Sequence, residues 1–173
     1  MPQVILVDKN DNEIGVAEKL AAHEQALLHR AFSVFIFYRL KNGALELLLQ
    51  QRHPAKYHCG GLWTNSCCSH PEPGEATLTA AKRRVREELG LNIELQETGH
   101  FTYKAEFANG LTEHEFDHVF IGYVENKNLK FDPEEISAVK WISLDELALV
   151  LKAGEMQFTP WFEEALKTAD RRF

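Results

Sequence analysis

Three stretches of the chain hold side chains able to do chemistry. Glu113-His114-Glu115-Phe116-Asp117-His118 is acidic at every second position. In a strand, alternate residues face the same way, so Glu113 and Glu115 share a face with Asp117, and His114 and His118 read as structural residues of the other. Gly60-Gly61-Leu62-Trp63-Thr64-Asn65-Ser66-Cys67-Cys68-Ser69-His70-Pro71 carries two adjacent cysteines and a histidine two residues beyond the second. Glu75 to Leu91 reads as a helix with Arg84 four residues before Glu88, which makes them neighbours on its surface. Clustered carboxylates hold a divalent ion, and such an ion neutralises phosphate oxygens. A free thiol, with a pKa near ~8.5, is mostly protonated at neutral pH and is available as an acid. Each stretch also has a plainer reading. Charged helix faces are usually just solvated, a cysteine is by default a small buried apolar residue, and among eight histidines one or two fall near a motif by chance.

The elements that must position these residues are legible in part. Val4–Val7 reads as a first strand with a turn at Asp11-Asn12. Ala31–Leu40 and Leu45–Gln50 read as a hairpin about Lys41-Asn42-Gly43. From Gly74, Leu78, Ala81, Val85 and Leu89 recur at helical spacing, and Gly90 ends the run. Further strands are expected near Ile93–Thr102, Glu115–Val124 and Val139–Ile142. Ser143 and Glu146 have capping-box spacing at the head of a second helix, and Thr159-Pro160 marks the start of a third. The interleaving predicts a mixed α/β (α+β) sandwich. A length of 173 residues, 45% of them hydrophobic, fits one domain over 1–173.

Composition excludes several classes. A net charge of -7 argues against general nucleic-acid binding, which needs a basic surface. The opening residues lack the features of a signal peptide, and no apolar run approaches the ~20 residues of a membrane span. Three cysteines, two of them adjacent, suit a reducing cytoplasm better than a disulfide framework.

Arg83-Arg84-Val85-Arg86-Glu87-Glu88-Leu89-Gly90-Leu91, with Glu75 eight residues before Arg83, resembles the Nudix box. Ser69 stands where that motif has its first glycine, and Arg84 where it has the first glutamate of its Arg-Glu pair. Trp-Thr-Asn-Ser-x-Cys-x-His-Pro, Glu-x-Glu and the early histidines resemble type 1 isopentenyl-diphosphate delta-isomerase, a family with a degenerate Nudix box. The likeness runs from about Lys19 to Trp161. It implies a Nudix-type sandwich of mixed β-sheets flanked by helices, with Cys68 catalytic and Cys67 at a variable position. It implies a metal site of His23, His29, His70, Glu113 and Glu115 holding Mn²⁺, Mg²⁺ or Zn²⁺, and a second ion, Mg²⁺ on the diphosphate, at Glu88. Lys19, Arg52, Lys56 and Arg84 map to diphosphate cations, Trp161 to an aromatic beside the carbocation, and Tyr103 to a tyrosine near the reacting carbons. Three imidazoles and two carboxylates suit such divalent ions and exceed the four ligands of a structural zinc site.

The reaction implied is protonation of isopentenyl diphosphate at its terminal alkene carbon, a tertiary carbocation, and loss of a methylene proton to give dimethylallyl diphosphate. Glu115 with Tyr103 is the expected acid, and Cys68 the acid/base of the opposite face. The competing readings are a Nudix hydrolase of a nucleoside diphosphate derivative, against which Arg84 argues, and a non-catalytic binding module, against which the retained Cys68, Glu115 and Glu88 argue. The oligomeric state, monomer or homodimer, is open at this level.

Overall fold

The computed structural model describes residues 1–173. Its spine is the 11-residue strand β3 (His29–Arg39), whose middle is buried throughout. A strand that reads Ala-Phe-Ser-Val-Phe-Ile-Phe has almost no polar side to offer solvent, so both faces must be covered. One edge of β3 pairs in parallel with β8 (Thr112–Val124), from His29↔Glu115 to Tyr38↔Val124. The other edge is shared. It meets β1 (Gln3–Val7) at its start, β6 (Cys67–Ser69) in the middle and β4 (Leu45–Arg52) at its end. The expected β3–β4 hairpin is therefore real only at its tip, Phe37–Arg39 against Leu45–Leu47. Beyond that point β4 leaves and pairs with β9 (Ile136–Ser143) and β5 (Trp63–Thr64). β2 (Glu13–Glu18) and β7 (Leu95–Glu106) complete the mixed sheet system beside β1 and β8. The mixed α/β architecture is the one the sequence predicts.

Helices cover both faces. Even-numbered residues of β3, Phe32, Val34 and Ile36, pack with Ala81, Val85 and Leu89 of α2 (Thr77–Leu89). Leu78, although in the right helical phase, is 40% exposed, and Ala80 takes the inward place. Gly90 ends the helix in the left-handed region at φ 69, where a side chain would also press on Lys130. Odd-numbered residues Phe35 and Phe37 pack with α3 (Leu144–Ala153) and α4 (Phe162–Ala169). Each such buried side chain contributes roughly 1.5–3 kcal/mol.

Ser143 caps α3 by accepting a hydrogen bond from the Glu146 amide, as its spacing predicts. The third predicted start is displaced. α4 begins at Phe162 because the Thr159 hydroxyl is bonded to that of Thr64 at 2.9 Å, and its amide donates to the Trp63 carbonyl. Thr159 thus ties the helix to β5 instead of capping it. A short helix, α1 (Lys19–Glu24), has no side-chain cap and no sequence signal. No helix is long and apolar enough to cross a membrane.

Candidate active site

The three acidic residues come from β8, where the strand alternation places Glu113, Glu115 and Asp117 on one face, all buried. Tyr103 of β7 lies directly across from Glu115 in the antiparallel register. Its hydroxyl is 2.6 Å from Glu115 Oε2 and 2.9 Å from Glu113 Oε2, so one phenol bridges both carboxylates. On the other side of β8, His29 is registered beside Glu115, and its Nε2 is 3.5 Å from Glu115 Oε1. His70, just past β6, brings its Nε2 to 2.8 Å from the same oxygen. His23 enters from α1, with its ring 5.0 Å from that of His29. His23, His29, His70 and Glu115 thereby present donor atoms within 4.8 Å of one another.

These residues fit a divalent ion on their own chemistry. His23 Nδ1 sits 2.6 Å from the Lys19 carbonyl and His29 Nδ1 2.8 Å from that of Leu27. A carbonyl only accepts, so both Nδ1 atoms carry a proton and Nε2 is the atom each ring can offer to an ion. Both Nε2 atoms are buried without a hydrogen-bond partner. Burial pushes His23 down to about 4 and His70 down to about 3, which keeps them neutral as ligands must be. Burial would raise Glu115, but its bonds to His29 and His70 hold it well below the ordinary carboxylate range. Glu113 is placed differently. Its Oε1 faces His58 Nε2 at 2.9 Å, and it groups with His23 and His58, apart from His29, His70 and Glu115. His58, 7% exposed, has no part in the sequence motifs.

Cys68 is held by the polar residues that precede it. Asn65 donates to the carbonyls of Cys67 at 2.7 Å and Val34 at 3.2 Å, and Ser66 donates to that of Leu48 at 2.7 Å. Thr-Asn-Ser is thus a brace that locks β6 between β3 and β4. It sets Cys68 beside Ser33, whose hydroxyl donates to Asp117 Oδ2 at 2.8 Å. Burial pushes the Cys68 thiol up to about 12, even with Arg52 Nη1 at 3.9 Å, so it is an S–H group at neutral pH. Burial and the neighbouring carboxylates also raise Tyr103 well above its ordinary value.

A cleft of about 630 Å³ joins these groups. Cys68, Tyr103, Glu113 and Glu115 line it, as do Lys19, Arg52, Lys56, Arg84, Glu88 and Trp161. Arg52 lies 5.5 Å over the Trp161 ring, and the ring of Tyr103 is 6.0 Å from it. Trp161 is oriented by its own N–H, which donates to Asn65 Oδ1 at 3.3 Å. On α2, Arg83 makes a two-pronged contact with Glu75 at 2.8 and 2.9 Å, stapling the preceding loop to the helix. Arg84 Nη2 is 2.6 Å from Glu88 Oε1 and 3.3 Å from Glu135, which also pairs with Lys56. Glu135 and His58 are among the lining residues that sequence reasoning missed. Glu135 lies in the turn just before β9, outside any motif, and His58 in a run of turns where no alternation fixes its direction. The structure gives His114 and His118 backbone and surface partners, Ala26, Asp11 and Glu97, away from the donor cluster.

Comparison with known proteins places the chain in a family. Residues 27–162 match the NUDIX domain. The isopentenyl-diphosphate Delta-isomerase of Serratia proteamaculans is 47% identical over 164 residues, covering 95% of this chain and 89% of the relative. Isopentenyl-diphosphate Delta-isomerase 2 of Aromatoleum aromaticum is 44% identical, with 95% and 84% covered. Among solved structures, DR0079 from Deinococcus radiodurans superposes with a TM-score of 0.74 at 21% identity, covering 96% of this chain and 98% of that one. The NUDIX domain of Shewanella oneidensis NrtR, complexed with ADP ribose, gives 0.63 at 18% identity, covering 84% and 86%. These structural likenesses carry the fold, and the sequence identities carry the family. The chain belongs to the NUDIX domain family and, within it, to the isopentenyl-diphosphate Delta-isomerases.

Proposed function

We infer that this chain interconverts isopentenyl diphosphate and dimethylallyl diphosphate, supplying the two isomeric five-carbon precursors of isoprenoids. The observation that carries the chemistry is the placement of two protonated groups on one sheet face. The Cys68 thiol and the Tyr103 phenol stand on strands separated by β3 and β8, and both line one cleft. Moving a double bond by one carbon needs a proton given at one end and taken at the other. One group would act on each side of a thin carbon chain.

Tyr103, bonded to Glu115 at 2.6 Å, is the group we assign to donate toward the alkene, with the Glu115 carboxylate accepting the phenol's hydrogen bond and orienting it. Cys68 serves the opposite side: as the thiolate beside Arg52 it takes the methylene proton and becomes the thiol, and as the thiol it returns that proton in the reverse reaction. The intermediate is a tertiary cation. Trp161, 3% exposed, presents an aromatic wall to it, worth about 2 kcal/mol when desolvated, and helps keep water away. Lys19, Arg52, Lys56 and Arg84 are the cations for the diphosphate. Binding energy from that end holds the reacting carbons in register. His23, His29, His70, Glu113 and Glu115 would hold one divalent ion, Mn²⁺, Mg²⁺ or Zn²⁺, and Glu88 an Mg²⁺ shared with the diphosphate. Such ions supply fixed positive charge that neutralises phosphate oxygens and polarises the groups bound to them. Residues 1–173 work as one domain on a small-molecule substrate.

The test is a product assay. Isopentenyl diphosphate incubated with the protein and Mg²⁺ or Mn²⁺ is expected to become an allylic diphosphate, recognised by its lability in acid, with no phosphate released. Release of phosphate or nucleotide from nucleoside diphosphate derivatives, without isomer formation, would favour the hydrolase reading instead.

A further inference from the structure

The four cations assigned to the diphosphate are held in two ways. The Lys19 ammonium lies 5.7 Å from the centre of the Tyr57 ring, and the Arg52 guanidinium 5.5 Å from that of Trp161. Lys56 and Arg84 share a carboxylate instead. Glu135 pairs with Lys56 through Oε2 and with Arg84 Nη2 through Oε1, the latter at 3.3 Å. Burial would raise Glu135, but Lys56 and Arg84 hold it below the ordinary carboxylate range. Its backbone stands where β4, α2 and the approach to β9 meet. The Glu135 carbonyl accepts from the His53 amide at 3.0 Å, and the Asp132 amide of the same turn donates to the Glu88 carbonyl at 2.8 Å. Glu135 is thus anchored at its main chain, whereas Lys56 projects a long, flexible side chain from a run of turns.

A carboxylate lining a diphosphate cleft should repel the substrate, unless its charge is already engaged. Here it is engaged by two cations, and they depend on it unequally. Arg84 keeps Glu88 at 2.6 Å and Glu87 at 2.9 Å without it. For Lys56, Glu135 is the one carboxylate partner. With Glu135 neutral, Lys56 would be repelled by Arg84 and would swing into solvent. We propose that Glu135 is a positioning residue of the substrate site, holding Lys56 beside Arg84 before the diphosphate arrives. This rests on the isomerase reading above, and adds to it a residue that acts through a cation and not on the reacting carbons. A long side chain that must be ordered at the moment of binding weakens association by about three- to tenfold. Glu135 removes that cost in advance, so its effect falls on substrate binding and not on the chemical step.

Glu135→Gln keeps the shape and removes the charge, and Glu135→Asp keeps the charge on a shorter arm. Binding of inorganic diphosphate with Mg²⁺ is read by calorimetry on the full chain, and kcat and KM by product formation from isopentenyl diphosphate. Glu135→Gln is expected to weaken diphosphate binding and raise KM by about three- to tenfold, with kcat within about twofold of the wild type. Glu135→Asp is expected to show a smaller loss. If thermal melts show that Glu135→Gln has not folded, Glu135→Asp decides on the same measures. Lys56→Ala supplies the second arm. There Glu135 has lost the cation it positions and only repels the substrate, so adding Glu135→Gln should lower KM or leave it where it was. Losses that add in the double variant would overturn the proposal, because Glu135 would not be acting through Lys56. Tighter diphosphate binding by Glu135→Gln would overturn it too, making Glu135 a competitor of the substrate. Unchanged binding and KM in a folded, active Glu135→Gln protein would sink this role alone. A wild type that binds diphosphate, loses affinity in Glu135→Gln and forms no allylic product would sink the isomerase reading and support the role of Glu135.

Discussion

Strands β3 and β8 run side by side over ten registered pairs, and the two ends of that ladder differ. At the far end, Phe35, Phe37, Val119 and Ile121 pack against α3 and α4 in an apolar core. At the near end, the same sheet face carries His29, Ser33, Glu115 and Asp117. The far end satisfies every packing rule. The near end buries His29 Nε2 and Asp117 Oδ1 without partners, at a cost of roughly 1–3 kcal/mol each. One ladder thus holds a stabilising half and a costly half, and the first fixes the geometry of the second. A site with this much buried polarity keeps its shape only because it is the continuation of a core.

The comparison can be broken from either end. Cys68→Ser removes the acid/base on β6 and is expected to lower turnover by about 10²–10⁴-fold, with the urea midpoint close to that of the wild type. Near-wild-type turnover would refute the thiol's role. Phe35→Ala is the mirror experiment. It opens a cavity at the far end and is expected to cost about 3–5 kcal/mol in urea unfolding. Folded protein at low denaturant should still bind metal. A loss of metal affinity larger than the loss of stability would show that the halves are not separable.

Two smaller effects sharpen the contrast. An ion that binds only the folded state stabilises it by about 2.7 kcal/mol at a hundredfold excess over its dissociation constant. Chelation should therefore lower the melting temperature of the wild type, whereas in Glu115→Gln the shift should shrink. Ser143→Ala removes the α3 cap, far from the cleft, and should cost about 1 kcal/mol of stability with unchanged turnover.

What the sequence disclosed follows the same division. The α2 face apart from Leu78, the Ser143 cap and the alternation of β8 are local signals, and each is realised in the structure. β5 and β6 are two and three residues long, too short for any periodicity, and become strands only because Asn65 and Ser66 tie them to β3 and β4. Thr159 carried a cap signal that the Thr64 hydroxyl pre-empted. Within the cleft, residues inside specific motifs could be named in advance. His58 and Glu135 could not, because their meaning lies in partners distant along the chain, Glu113 for one and Lys56 with Arg84 for the other.

The central claim is that protons are given and taken from two sides of one cleft. Proton NMR of isopentenyl diphosphate with the protein and a divalent ion in deuterated water tests it most directly. The account predicts dimethylallyl diphosphate with solvent deuterium in the newly formed methyl group. No conversion with Mg²⁺, Mn²⁺ or Zn²⁺, or conversion without deuterium in that methyl, would contradict it.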